Sequence, residues 1–403
     1  MSAERWLAVV GLGEDALDGL SPAARALLAQ ARFVVGGRRH LALAGKREAE
    51  TYAWPSPIED ALDVIAARRG TPVCVLASGD PFFFGVGAML ARRFAPSEMI
   101  VAPAPSAFAL AAARLGWSQQ DCALVSLHGR PLEAIVPRLH AGAKILAFSW
   151  DEATPAKLAA LLTARGMGGS RLTVCEAMGG PRERLRATEA RSFALGDIAA
   201  LNTIALEVVA DPEARILPRA AGLPDEWFEH DGQITKRDIR AITLSALAPG
   251  RGEILWDIGA GSGSIAIEWM LADSTNRAVA VEKSAERARR IVRNSLTFGA
   301  PHLAVVTGEA PQVLDALPQP DAVFIGGGAS APDMIAHAFD ALRPGGRLVV
   351  NAVTLETQAL CVEARARHGG DLVQIAVAQA EPLGRFTGWR PAAPVVQWRL
   401  VKS

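Results

Sequence analysis

The sequence predicts an α/β protein in two parts. The first half forms two α/β lobes, and the second is a doubly wound parallel sheet with a terminal antiparallel hairpin. Three observations predict this. Short apolar strands alternate with capped helical segments along all 403 residues. Two strands run into glycine loops, "VVGLG" over 9–13 and "DIGAGSG" over 257–263. Between them a poorly periodic stretch over 210–232, punctuated by Pro212, Pro218 and Pro224, reads as a linker. The expected divisions are 1–211 for the first part, 212–232 for the linker and 233–403 for the second part.

Taken in order, residues 7–10 form a buried strand that ends at Gly11, Leu12 and Gly13. Ser21 ahead of Pro22 starts a helix, as N-cap and first-turn proline. Ser56, Pro57, Ile58 and Glu59 repeat that start with a capping box. A second strong strand covers 73–77, and the lobes divide near 115. Strands follow at 144–148, 172–176 and 203–209, with a helix capped by Thr154 and Pro155. In the second half Thr235 caps a helix running to about 247. Strands at 254–257, 278–281, 303–306, 322–325 and 347–351 then alternate with helices at 264 onward, 285–296, 332–342 and 356–368. Two late strands, 372–378 and 395–401, have only a loop between them and make the terminal hairpin.

Composition excludes several classes. Lys plus Arg and Asp plus Glu both total 42, a net charge of zero, which argues against a nucleic-acid partner. Cys74, Cys122, Cys175 and Cys361 are far apart, with no CxxC pair. They are expected as core thiols in a reducing compartment, with no metal site. The start "MSAERWLAVVGLG" reads as a first strand and not as a signal peptide. No apolar run reaches the ~18 residues of a membrane span, so the expected location is the cytoplasm, away from membranes.

The loop at 257–263 identifies a ligand class. A dinucleotide fingerprint has glycines at GxGxxG, whereas here the spacing is GxGxG and Ser264 stands where the third would fall. Asp257, two residues before Gly259, would repel a pyrophosphate and suit a ligand with an ammonium and a sulfonium. Glu282, at the end of the next strand, is placed to take a ribose diol. Gly308, Glu309 and Ala310 can edge an adenine. S-adenosylmethionine fits, with contacts expected at Thr235, Asp257, Gly259, Ala260, Gly261, Ser262, Gly263, Glu282, Glu309 and Ala310. On "DIGAGSG", "VEKS", "TGEAP" and "LRPGG", residues 233–401 resemble the Rossmann-like class I methyltransferases.

The first half has its own signals: "VVGLG" at 9–13, "LASGDPFFFG" at 76–85, "APAPSAFALAAARLGW" at 102–117 and "SLHGR" at 126–130. In this order they resemble the tetrapyrrole (class III) methyltransferases, whose two α/β lobes make the tetrapyrrole-methylase fold. "GGRRHL" at 36–41 is similar to the branch acting on precorrin-6B/6Y. The resemblance implies a second S-adenosylmethionine site at Gly11, Gly13, Gly79, Asp80, Phe83, Ser106 and Ala107. Pro103-Ala104-Pro105-Ser106-Ala107 departs from the common Pro-Gly-x-Ser-Ser, and Glu14 stands where a small residue is usual; only its backbone is expected to matter. At least one of Phe82, Phe83 and Phe84 is expected in the core, and His128 is equally a turn residue or a ligand contact.

Together the halves, with "ITKRDIR", "GGG" and "NAVTLET" in the second, resemble the decarboxylating precorrin methyltransferases of cobalamin biosynthesis. The resemblance implies methylation of the macrocycle at C5 and C15, loss of CO2 from the C12 acetate, two cofactor sites per chain and self-assembly. No Ser–His or Cys–His nucleophile is found, and none is needed for methyl transfer. Arg38, Arg39, His40 and Arg385 are candidate contacts for the substrate's carboxylates. Two methyltransferases with unrelated substrates, a nicotinamide-dependent oxidoreductase and a non-catalytic tetrapyrrole carrier are the alternatives.

Overall fold

The structure is a computed structural model that describes residues 5–403; residues 1–4 of the expected N-terminal strand region lie outside it. The chain forms two compact units. One runs up to Leu132 and from Arg138 to Arg215, and the other holds Glu133–Pro137 and Ile216–Ser403.

The first unit begins with a parallel five-stranded sheet of β1 (Leu7–Leu12), β2 (Phe33–Gly36), β3 (Glu50–Ala53), β4 (Val73–Ser78) and β5 (Met99–Ala102), in the order β3-β2-β4-β1-β5. β1 is buried along its whole length, as a strand covered on both faces must be. Alternate side chains feed opposite layers: Leu7 and Val9 join Phe33, Val75 and Phe94, whereas Ala8 and Val10 join Leu28, Val34 and Leu76. α1 (Pro22–Gln30) starts as expected, Ser21 accepting the Ala24 N–H at 3.2 Å. α2 (Arg38–Ala44), α3 (Ala61–Ala66) and α4 (Gly87–Arg93) complete the lobe. Ser56 is not a cap: the chain enters a 3-10 turn at Ile58–Asp60 behind Pro57, and α3 starts only after it.

The second lobe contains α5 (Ala107–Leu115), β6 (Cys122–Ser126), β7 (Lys144–Phe148), α6 (Thr154–Ala164), β8 (Arg171–Glu176), β9 (Arg184–Glu189) and β10 (Asn202–Glu207), the sheet running β6-β7-β10-β8-β9. The lobes divide before α5, not near 115. Phe108 of α5 stacks on Phe148 of β7, ring centroids 3.8 Å apart, so the helix packs with the second sheet. Thr154 is the first helical residue and not the cap; its hydroxyl takes the N–H groups of Trp150 and Asp151 in the turn before it.

The second unit comprises α7 (Arg237–Leu247), β11 (Ile254–Ile258), α8 (Ser264–Ala272), β12 (Arg277–Glu282), α9 (Ala285–Thr297), β13 (Ala304–Thr307), β14 (Ala322–Ile325), α10 (Met334–Ala341), β15 (Arg347–Ala352), α11 (Leu355–His368), β16 (Asp371–Ile375), β17 (Ala378–Leu383), β18 (Phe386–Pro391) and β19 (Val395–Val401). Its main sheet runs β13-β12-β11-β14-β15-β19-β16, parallel through β15, with β19 antiparallel to both neighbours. The order reverses between β11 and β14, which opens a crevice at the strands' C-terminal ends. The two late strands do pair, but what joins them is not a plain loop: β17 and β18 form a separate two-stranded hairpin.

Thr235 does not cap α7; Lys236 holds that position and makes no side-chain cap. The Thr235 carbonyl instead accepts from Arg240 Nη1 at 2.5 Å. Arg240 is fully buried and donates through Nε to Glu268 at 2.6 Å and through Nη1 to Asp225 at 3.0 Å. Glu268 also accepts the Gly222 and Leu223 N–H groups, at 2.6 and 3.0 Å. With Leu223 and Phe228 buried, these bonds fasten part of the proline-rich stretch to the second unit.

Candidate active site

In the second unit a cavity of about 1180 Å³ opens at the β11/β14 crevice. The glycine loop is built for it by steric necessity. Gly259, Gly261 and Gly263 have φ of +71°, +59° and +76°, a region other residues enter only at a cost. At Gly259 a Cβ would also lie 2.7 Å from the Gly327 carbonyl, so the loops after β11 and β14 meet backbone to backbone. At Gly263 it would lie 2.7 Å from Ile291 Cγ2 of α9.

The two predicted carboxylates both line the cavity, in different states. Glu282 accepts the Gly261 N–H on Oε2 at 2.9 Å and the Ser284 N–H on Oε1 at 3.0 Å. It therefore stands at the loop with its oxygens aligned and spare lone pairs for a diol. Asp257 is buried and accepts the Ala266 N–H of α8 at 3.0 Å. Burial pushes its carboxyl up to about 7; the Ala266 bond opposes this and the Glu282 charge adds to it. A cationic ligand is the partner that would relieve that cost. The Gly261 N–H, which a phosphate cradle would leave free, is already taken by Glu282. This donor set fits S-adenosylmethionine, with its sulfonium, ammonium and ribose diol, and not a pyrophosphate.

Thr235, Gly259, Ala260, Gly261, Glu309 and Ala310 also line the cavity. Ser262 and Gly263 do not: Ser262 is buried behind the loop, its carbonyl held by Asn294 Nδ2 at 2.9 Å, and Gly263 serves the turn into α8. Arg385 does not line it either; it lies in the turn of the β17–β18 hairpin, its guanidinium 5.0 Å from the Phe386 ring centre. The hairpin arginine that lines the cavity is Arg390, paired with Glu381 at 2.9 Å. Lys236, Arg237, Lys283 and Arg287 line the cavity too; the first three lie within "ITKRDIR" and "VEKS", yet motif reading singled out none of the four as a contact.

In the first unit three motifs converge at the C-terminal ends of β1, β4 and β5. A Cβ on Gly11 would fall 1.8 Å from the Gly79 carbonyl and 2.6 Å from Ala104 N. A Cβ on Gly79, whose φ is +55°, would fall 2.9 Å from Ser106 Cα. Ser106 caps α5 by accepting the Ala109 N–H at 3.2 Å, and Ala107 is its first helical residue. Asp80 Oδ1 accepts the Phe82 N–H at 2.9 Å, closing the turn. Phe83 packs edge-on against Phe108, centroids 5.7 Å apart, whereas Phe82 and Phe84 are about half exposed. Gly13 faces Asp15 in the following turn, and His128 is an exposed turn residue.

Arg38, Arg39 and His40 form the first turn of α2. Arg38 is exposed. Arg39 is paired with the carboxylate of Glu14, which also lies 3.9 Å from Arg182, so the expectation that only the Glu14 backbone matters is corrected. A serine–histidine pair is present after all: His40 Nε2 lies 2.8 Å from Ser78 Oγ, and Arg39 Nη2 is 2.8 Å and 2.9 Å from the two. Burial, and then the Arg39 charge, lower His40 to about 4. The ring is thus neutral near pH 7 and Ser78 can donate to it. Neither contact was visible in sequence, since 25 and 38 residues separate the partners.

Fold and sites together define a methyltransferase with two unlike α/β modules. Residues 7–194 match the family model for tetrapyrrole (corrin/porphyrin) methylases, and residues 226–402 that for the precorrin methyltransferase domain. The chain is 56% identical to a precorrin-6Y C(5,15)-methyltransferase [decarboxylating] from Sinorhizobium sp, over 99% of this chain and 97% of that one. It is 41% identical to the protein of that name from Mycobacterium tuberculosis, over 98% and 99%. A Salmonella typhimurium cobalt-precorrin-6B C(15)-methyltransferase (decarboxylating) is 33% identical over 43% of this chain and 92% of its own. The chain belongs to the precorrin-6Y C(5,15)-methyltransferase (decarboxylating) family.

Proposed function

We propose that this chain methylates a precorrin macrocycle at C5 and C15 and removes CO2 from its C12 acetate, a step of cobalamin biosynthesis. The observation that carries the second-unit chemistry is the cavity at the β11/β14 crevice, where Glu282 holds the Gly261 amide and Asp257 is buried with its carboxyl raised to about 7. The end-to-end identity with proteins of that name supports the overall reaction. The stand-alone relative of the second half bears the name of a C15 methylation with decarboxylation, which supports giving those steps to the second unit and C5 to the first.

S-adenosylmethionine, when bound, supplies an electrophilic methyl group. The protein's share is placement. Asp257, Glu282, Thr235 and the glycine loop would hold the donor in the second unit; Gly11, Gly79, Asp80, Ser106 and Ala107 would hold it in the first. Arg237 and Arg390 lie on the second-unit cavity, and Arg38 is exposed beside the first site, each suited to a carboxylate of the substrate. Effective molarity is the main lever for such a displacement.

The reading requires two cofactor sites per chain. Titration calorimetry of the intact protein is expected to give two equivalents of S-adenosylmethionine, and Gly261→Arg one. In the same variant C15 methylation is lost and C5 methylation persists. A single equivalent for the wild type, or loss of both methylations with the fold intact, would sink the proposal. We also infer self-association, from the exposed hairpin described below, and a reducing compartment, which suits four free cysteines of which three are buried. Among the described residues no helix is long and apolar enough to cross a membrane.

A further inference from the structure

The wall of the second-unit cavity carries one polar group for which methyl transfer has no use. Asn351 stands at the C-terminal end of β15 and lines the cavity. β14 separates β15 from β11, so Asn351 lies roughly 10 Å across the sheet from the glycine-loop strand. Its amide is gripped from both sides. Nδ2 donates to Thr243 Oγ1 of α7 at 2.9 Å. Oδ1 accepts from Gln397 Nε2 at 2.9 Å, the residue beside it in register on β19.

Thr243 donates its hydroxyl hydrogen to the Ile239 carbonyl at 2.8 Å, so its oxygen only accepts, from Asn351 and from Gln397 Nε2 at 3.3 Å. This polarity fixes which end of the Asn351 amide is nitrogen. Thr243 and Gln397 are fully buried, and Gln397 Oε1 is buried without a partner. Such a network is a poor way to stabilise a sheet, because an unmet buried acceptor costs stability while apolar replacements of the same shape do not. What the grip does produce is one remaining Nδ2–H held in a fixed direction.

Val353 follows β15, Ala392 and Val395 lead into β19, and Val377 and Pro391 flank the hairpin; all five line the cavity, as do Gln379, Glu381 and Arg390 of the hairpin itself. We infer that Asn351 marks the place where the substrate loses CO2: its fixed N–H orients the carboxylate of an acetate side chain seated in this corner of the cavity, with Thr243 and Gln397 as positioning residues. The inference rests on the reading of the second unit as the decarboxylating half.

The chemistry favours this corner. The bond between the side chain's methylene and its carboxylate breaks, its electron pair passes into the conjugated macrocycle, and CO2 leaves. A proton from water then completes a methyl group. Charge spreads as the bond breaks, so a site that solvates the carboxylate weakly promotes the step. A guanidinium would hold the carboxylate in place. A neutral amide sets its rotation, aligning the breaking bond with the ring's π system, and leaves its charge free to move.

The test uses the full-length protein with S-adenosylmethionine and precorrin substrate. Asn351→Ala is expected to release CO2 roughly 100-fold more slowly, while second-unit methylation falls far less and cofactor affinity is kept. Its product is then methylated and heavier by one CO2 in the mass spectrum. Gln397→Met, which leaves Asn351 present but ungripped, is expected to lower the rate constant for CO2 release with KM unchanged. Asn351→Ser, still a donor, is expected to fall between wild type and alanine, and it serves if the alanine variant does not fold. Wild-type CO2 release in Asn351→Ala overturns the inference. So does equal loss of methylation and CO2 release at intact cofactor binding, which would make Asn351 a general substrate contact. A wild-type chain that methylates the substrate without releasing CO2 overturns the functional reading itself.

Discussion

Asp257 shows how one residue links cofactor binding to stability. Its carboxyl, ordinarily near 3.8, is raised to about 7 by burial. The folded chain thus holds this proton more tightly than the unfolded chain, and stability falls as pH rises from about 4 to about 7. Asp257→Asn removes the charge while an oxygen can still accept from Ala266. It is expected to raise the melting temperature of the ligand-free protein at about pH 8, with the difference closing by about pH 4, and to weaken S-adenosylmethionine binding. Parallel thermal melts at the two pH values check this; an equal or lower melting temperature for the variant at the higher pH contradicts it. Asp257 and Glu282 were legible because acid, glycine loop and second acid follow one another along the chain. Arg390 was not. Whether a hairpin residue lines a cavity depends on its register across two strands, and Arg390 pairs opposite Gln379 whereas Arg385 falls in the turn.

Among elements, the β11–α8 turn concentrates the geometric demand. An alanine at Gly263 would carry both the left-handed backbone cost of about 1–3 kcal/mol and an overlap with Ile291 of similar size. At Gly328, φ +79°, no atom lies within 4 Å of an added Cβ, so only the backbone cost applies. Gly263→Ala is therefore expected to lower the urea midpoint of the second unit well beyond Gly328→Ala; equal midpoints would show that Ile291 yields freely. The alternating glycines and the strands around them could be read from the chain because strand, turn and helix succeed one another locally. The β17–β18 hairpin could not. Its strands, "AQAEPL" and "FTGWRP", are polar and proline-containing and lack the apolar alternation of a buried strand. The lobe division was misplaced for a related reason: α5 follows β5 in sequence but packs on β7 and β10.

For the whole molecule, the hairpin is the conspicuous surface. It is a two-stranded sheet with Leu383, Phe386 and Trp389 exposed by 69%, 66% and 77%. A two-stranded sheet is marginal alone, and exposed aromatic patches mark association. The self-association proposed above would cover it with a second copy of the chain, since neither strand of the hairpin pairs with any strand beyond the hairpin among the described residues. Phe386→Ser with Trp389→Ser is expected to lower the molar mass seen by light scattering, with the cofactor stoichiometry unchanged. An unchanged mass would place any assembly elsewhere.

The Arg240–Glu268 pair bears on how such a two-module gene can be cut or joined. Glu268 holds the Gly222 and Leu223 amides, and Arg240 reaches Asp225. A split at residue 233 would leave Arg240 and Glu268 paired with each other but strip from them the Asp225 carboxylate and the Gly222 and Leu223 amides. A viable breakpoint between the modules therefore lies upstream of Gly222, near Arg215 and Ile216, where the two compact units part. A recombination event that brings a free-standing second module into fusion must carry those preceding residues along, so they are inherited as the module's own first wall.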